Sequence, residues 1–282
     1  MKKTIFLLFA AFAAASCSSS KNINVKVTNV SSLDRNKEMV EVSMAEISTK
    51  LHLADTAQVI VLDKNDQQVP YQITYDAKLI FPSTVKAKSS EVYTIKTGVP
   101  ETFNTLTFGK QFPERVDDVA WENDRIAFRT YGPALQATGE KAFGYDIWVK
   151  RTNDLVVENR YAMELDDSTN AEIKRLAVTD PAASKALRER TSYHFDHGNG
   201  LDYYKVGPTL GAGTSAFLVD GEMVYPYCYK TQEVLDNGPL RFTVKLVYNP
   251  LNIKGNSVID TRIISLDAGS QLNKVNLTFS KV

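Results

Sequence analysis

The feature that most restricts this chain is a period-two alternation of apolar and polar residues, repeated in short segments along almost its whole length. Ile23-Asn-Val-Lys-Val-Thr-Asn-Val30 and Glu38-Met-Val-Glu-Val-Ser-Met44 both carry it. An apolar run at Gln58–Leu62, the polar turn Asp63–Asp66 and the stretch Val69–Tyr75 read as a hairpin. Lys78–Pro82 and Glu91–Lys96 add strands. Further on, Ala120–Tyr131 reads as two strands about a Glu122-Asn-Asp124 turn. Asp220-Gly221 joins Ser215–Val219 to Glu222–Tyr225, and Asp236–Pro239 separates Lys230–Leu235 from Leu240–Tyr248. Ser257–Ser265 and Leu272–Phe279 close the series. Only residues 171–192 carry helix formers in strength, with Thr179-Asp-Pro supplying a cap and a first-turn proline. The expectation is an all-β fold, an antiparallel β-sandwich with one helical insert. A smaller β-sandwich portion is expected over 23–99 and a main β-sandwich domain over 100–282, with Gly98-Val-Pro-Glu101 as the boundary.

The first residues read as an export signal. Lys2 and Lys3 precede an apolar run, Ile5–Ala15, that is too short to span a bilayer and suits a signal core. Ala14-Ala15-Ser16-Cys17 resembles a bacterial lipobox. That resemblance implies a signal peptide over 1–16, lipidation at Cys17, and a short tether over 17–22 that holds the protein on a membrane through its acyl chains. The expected location is periplasmic, or at the outer membrane as a lipoprotein. Cys228 then has no partner for a disulfide and reads as a small buried apolar residue. Removal of Lys2 and Lys3 from a chain with 33 basic and 33 acidic residues leaves a slightly acidic protein, without the basic patch that nucleic acid requires.

Residues 191–214 concentrate the reactive side chains. Two of the three histidines, His194 and His197, lie here with Asp196, Asp202, Tyr203, Tyr204, Lys205 and five glycines. Either histidine can act as acid or base near neutral pH, a tyrosine can deliver a proton, and Lys205 can neutralise a substrate carboxylate. Read as a strand broken by Gly198 and Gly200, the segment places His194 and Asp196 on one face and His197 on the other. The catalytic candidates are therefore His194, His197, Tyr203 and Lys205, with Asp196 and Asp202 as binding groups. The His-x-x-His spacing suits a metal, but a catalytic zinc needs a third well-placed ligand, so neither metal nor cofactor is expected. Gly207–Gly213 lacks the lysine and the strand-to-helix setting of a phosphate loop, and no Gly-x-Ser-x-Gly elbow occurs. Outside the segment, Arg129 is a candidate for bidentate binding of a carboxylate. Tyr145, Asp146 and Trp148 offer a ring face and hydrogen bonds to a sugar.

Three stretches carry a resemblance to a known family: Tyr193–Gly213, Phe128–Gln136 with Gly144–Trp148, and Ile264–Lys274. The chain resembles a domain of unknown function found in exported proteins of Bacteroidota and often encoded beside polysaccharide-degrading enzymes. The resemblance implies a β-sandwich related to the galactose-mutarotase-like supersandwich. It also implies members that run longer at the C-terminus, where further strands complete the sheet or cleft. A relative that dehydrates oligosaccharides during ulvan breakdown implies an exported lyase or dehydratase acting on uronate-containing oligosaccharides by acid–base catalysis. Two alternatives stay open: a glycan-binding lipoprotein without turnover, and a mutarotase-like sugar epimerase.

Overall fold

The computed structural model describes residues 22–281, so the signal segment, the tether and the Cys17 lipidation site lie outside the described residues. The first portion runs β1 (Asn22–Thr28), β2 (Arg35–Ser43), α1 (Met44–Leu51), β3 (Val59–Leu62), β4 (Gln68–Val69), β5 (Gln72–Ile73), β6 (Lys78–Val85) and β7 (Ser90–Thr97). Its strands form two antiparallel sheets, ordered β1-β7-β3-β4 and β2-β6-β5. Alternation in β1 sends Ile23, Val25 and Val27 into a core with Val59, Val61, Leu79, Phe81, Tyr93 and Ile95. Helix α1 lies where only the end of a strand was expected. Met44, Ile47 and Leu51, at helical spacing, press against the same core. The expected hairpin over 58–75 holds only as far as Val69, which pairs with Val61. Pro70 has no N–H to continue the ladder, and Gln72–Ile73 cross to the other sheet and pair with β6.

The second portion runs β8 (Thr107–Phe112), β9 (Asp118–Asn123), β10 (Ile126–Thr130), α2 (Pro133–Ala137), β11 (Asp146–Lys150), α3 (Val157–Glu164), α4 (Asp167–Thr179), α5 (Pro181–Thr191) and β12 (Gly200–Asp202). It continues with β13 (Phe217–Val219), β14 (Glu222–Val224), β15 (Tyr229–Asn237), β16 (Arg241–Tyr248), β17 (Leu251–Ile253), β18 (Asn256–Asp267) and β19 (Lys274–Lys281). One sheet has the order β12-β11-β10-β9-β8. A second has β15-β16-β18-β17, with β19 also on β18. The two face each other across Trp121, Phe128, Tyr145, Phe242, Val244, Leu246 and Ile264. The fold is thus an antiparallel β-sandwich carrying a helical insert.

The insert occupies the connection between β11 and β12 and resolves into three helices. Asp166 accepts a hydrogen bond from Thr169 N (2.7 Å) and caps α4, while Asp180 accepts from Ala183 N (3.0 Å) and caps α5 beside Pro181. Val157, Tyr161 and Tyr193 cover the outer face of the first sheet at Ala120, Ala127 and Trp148. Both faces of that sheet are therefore buried, and all six residues of β9 are inaccessible to solvent. This burial determines what the charged residues of β9–β12 can do.

A buried amide stands at the joint between the two portions, beside the packing of Ile80 on Leu240 and Ala268 and the bond from Tyr75 N to Asp236 at 2.7 Å. Gln72 on β5 accepts from Leu240 N (2.9 Å) and Arg241 N (2.8 Å) and donates to the Arg241 carbonyl (3.0 Å). Arg241 also reaches Glu41 of β2 at 2.8 Å. A Gln72→Leu substitution keeps the size but strands two buried N–H groups, while the Arg241 carbonyl keeps its bond from Gly238 N at 3.3 Å. It is expected to destabilise the protein by about 2 kcal/mol or more, at roughly 1–3 kcal/mol per unmet group. Urea unfolding checks this, and a loss under about 1 kcal/mol would show that water reaches the joint.

Candidate active site

Four neighbouring strands bring their charged residues to one point on the helix-facing side of the first sheet. Arg129 of β10 lies opposite Asp146 of β11, Asp202 of β12 lies opposite Trp148, and Asp118 starts β9. Arg129 is 4% exposed. Its guanidinium pairs with Asp146, with Asp202 at 2.8 Å and, more distantly, with Asp118 at 3.9 Å. The Tyr193 hydroxyl accepts from it at 3.2 Å. Tyr131 donates to Asp146 (3.2 Å) and Tyr161 to Asp118 (3.1 Å). The faces of Trp148, Tyr131 and Tyr193 lie 5.1–5.6 Å from the Arg129 guanidinium carbon. Three carboxylates around one guanidinium leave an excess of negative charge out of water. Burial pushes the Asp118 carboxyl up to about 6, and burial likewise raises Asp202.

Above this cluster opens a pocket of about 530 Å³. His194 stands at its wall with Nδ1 2.9 Å from the Asp202 carbonyl oxygen and 3.6 Å from the Asp202 carboxylate. A carbonyl oxygen only accepts, so Nδ1 carries the proton. The neutral ring then presents Nε2 as an open lone pair. Arg115, on the turn between β8 and β9, and Lys205 also line the pocket. Among the described residues neither has a carboxylate partner, and Arg115 donates only to the Tyr193 hydroxyl at 3.4 Å. Tyr203 and Tyr204 form the rim, 74% and 39% exposed.

Of the residues singled out from the sequence, Arg129, His194, Asp202, Tyr203 and Lys205 meet at this one pocket. Arg129 and Asp202, however, are already paired to each other, so Arg129 is a strut and not a free carboxylate clamp. The other candidates lie elsewhere. Tyr145 is in the core on the opposite face of the sheet, its hydroxyl accepting from Arg262 at 3.0 Å. Trp148 is 1% exposed and stacks on Tyr193 at 4.8 Å, leaving no ring face for a sugar. Asp146 is wholly buried beneath Arg129. His197 donates from Nε2 to the Ser192 carbonyl (2.9 Å) and does not line the pocket. Asp196 pairs with Arg151 (2.9 Å) and accepts from Gly198 N and Gly200 N. Arg151 and these amides hold its carboxyl down at about 2.

The two histidines are separated for a reason other than the one expected. Residues 192–199 form a turn after α5 and not a strand, closed where Asp202 N donates to the Tyr193 carbonyl at 2.9 Å. The strand begins only at Gly200, whose φ of +94° and close approach to the Val149 carbonyl admit no side chain. Sequence reasoning missed Arg115, Asp118, Tyr131 and Tyr193 as parts of the site. Asp118 had a signal: it shares strand parity with Ala120 and so faces the side covered by the helical insert, where a carboxylate requires a buried cation. Cys228 is buried and free, and burial pushes its thiol up to about 12, which disfavours the thiolate.

Residues 27–282 match the family described as Domain of unknown function (DUF4861), and the chain belongs to that family. It is similar to "Uncharacterized protein P7" of Formosa agariphila, at 27% identity over 299 residues, covering 98% of this chain and 70% of that protein. Among solved structures it is similar to a protein in glycosyl hydrolase family 38 from Enterococcus faecalis (TM-score 0.43, 8% identity) and to an alpha-mannosidase from Enterococcus faecalis V583 (TM-score 0.38, 10% identity). Each alignment covers 92% of this chain but only 31% and 30% of those proteins.

The raised Asp118 carboxyl gives a stability signature. Between about pH 4 and 6 the folded protein holds this proton more tightly than the unfolded chain does. The associated stability is complete below the unfolded value and is lost as pH rises through about 6. Asp118→Asn cannot ionise. Relative to the variant, the wild type is therefore expected to lose on the order of 2–3 kcal/mol between pH 4 and pH 7 in urea titrations. Parallel pH profiles for the two proteins would contradict a buried, proton-binding Asp118.

Proposed function

We propose that this pocket carries out β-elimination on uronate-containing oligosaccharides, as a lyase or dehydratase. The observation that carries the reading is the orientation of His194. Its Nδ1 is committed to the Asp202 carbonyl, and Nε2, without a hydrogen-bond partner among the described residues, is left to serve as a base at the pocket wall. Abstraction of a proton α to a carboxylate builds negative charge on the carboxylate oxygens, and such a step needs fixed cations beside the base. Arg115 and Lys205 supply them, in place of the Arg129 expected from the sequence.

In this reaction His194 Nε2 takes the α proton, and the C–H electron pair moves into the carboxylate to give an enolate-like intermediate. That pair then returns to form the double bond as the β C–O bond breaks. Tyr203, on the rim, gives its proton to the departing oxygen. A leaving glycosyl oxygen makes the enzyme a lyase, and a leaving hydroxyl, released as water, makes it a dehydratase. Tyr131 is excluded as the acid because burial raises its hydroxyl above the ordinary tyrosine value and its proton is held by Asp146. In the same reading the protein is exported and tethered through Cys17, where it meets fragments of extracellular polysaccharide.

A binding protein without turnover is the competing reading, favoured by the open tyrosine rim. The two separate on His194→Asn, whose amide nitrogen stands at the Nδ1 position and so can donate to the Asp202 carbonyl, while the base at Nε2 is lost. With uronate oligosaccharides, followed through the ultraviolet absorbance of the unsaturated product, kcat is expected to fall about 10²- to 10⁴-fold while KM changes little. Wild-type protein that gives no absorbance change at high concentration with any such substrate would remove elimination from consideration.

A further inference from the structure

We infer that a second saccharide subsite, built for an acidic sugar unit, lies on the far side of His194 from the main pocket. A cavity of about 410 Å³ opens there, walled by α4, α5 and the turn after α5. His194 is the one side chain that lines both cavities, so its imidazole is the ridge between them. Both volumes fall in the range of ordinary ligand sites. A chain of sugars seated in the two cavities crosses the imidazole, which places the base between two neighbouring units. The inference rests on the proposed function and extends it from a single reacting sugar to an oligosaccharide.

The chemistry of the second cavity selects an anion. Lys174 and Arg188 line it, and among the described residues neither is ion-paired. Two other cations on the same helices are paired, Arg175 with Glu172 at 2.7 Å and Lys185 with Glu189 at 3.8 Å, and Arg190, which is not, does not line the cavity. The carboxylate in the wall, Glu164, is engaged by Tyr193 N at 3.2 Å. Phe195 adds a ring that is 44% exposed although it sits in a concavity. An exposed ring beside two unpaired cations suits a pyranose that stacks its C–H face while its carboxylate meets the cations.

The test is calorimetry on the full chain carrying His194→Asn, which prevents turnover, with a galacturonate disaccharide, a galacturonate tetrasaccharide and maltotetraose as probes. The galacturonate tetrasaccharide is expected to bind about tenfold more tightly than the disaccharide. Adding Lys174→Gln and Arg188→Gln is expected to erase that gain, while the disaccharide affinity, retained, reports that the fold is intact. Equal affinity for the two lengths, a gain that survives the double substitution, an equal gain with maltotetraose, or no binding of either uronate would overturn the subsite. Length-dependent binding in a protein whose wild type turns over neither uronate would leave the subsite standing and remove the elimination reading. Turnover without a length effect would do the reverse.

Discussion

The structure depends on one buried guanidinium. Arg129 sits at the middle of a sheet whose two faces are both covered, where an unpaired cation would be prohibitively costly. Its compensation comes from three other strands and from the helical insert: Asp118, Asp146, Asp202 and the Tyr193 hydroxyl. Each partner is fixed by a different part of the chain, so the cluster forms only when β9, β10, β11, β12 and the segment after α5 are all in place. Replacing the whole set with hydrocarbon would satisfy the core equally well in energy. What the ionic arrangement adds is position: Asp202 is held to within a hydrogen bond, and its own carbonyl orients His194.

The other wall of the pocket is fixed by a second buried cation. Arg262 on β18 is wholly inaccessible, pairs with Asp260 at 2.7 Å, and donates to Thr214 and to the Ser215 carbonyl. The segment after β12 is further tied by Ala212 N to the Tyr145 carbonyl at 2.9 Å. Gly144 is needed beneath it, because a Cβ there would lie 2.2 Å from the Leu210 carbonyl. Lys205 and the tyrosine rim thus hang between two anchored points, Asp202 at one end and Thr214 at the other. The glycine-rich stretch is a tether for the wall of a cleft, which agrees with its lack of a phosphate-binding lysine.

How much of this was legible follows from which forces act locally. Alternation at Ile23–Val30 and Leu240–Tyr248 reports burial of one face, and burial is a property of consecutive residues, so those strands read correctly. The exchange of sheets at Pro70 and the helix at Met44–Leu51 depend on partners far along the chain. Half of the site was visible because Asp202, Tyr203 and Lys205 are contiguous with His194. Arg115 was invisible, since its role follows from what is absent around it once the chain is folded. Trp148, Tyr145 and Asp146 misled for a related reason: their side-chain types suit sugars, but a sheet buried on both faces consumes the same types in its core.

That distinction decides which residues can belong to chemistry. A group that acts on a ligand must have capacity left after folding, and the charged groups of this protein divide cleanly on that test. Arg129, Arg262, Asp146 and Asp260 have spent their charge on one another. His194 has spent one nitrogen and kept the other, and Arg115 and Lys205 have kept their charge at the mouth of the pocket. A base with a fixed tautomer beside two uncommitted cations is the minimum set for removing a proton next to a carboxylate. The buried aspartates behind them are already engaged by Arg129. The ion cluster is therefore closed on itself, and Arg115 and Lys205 stay without a carboxylate partner among the described residues.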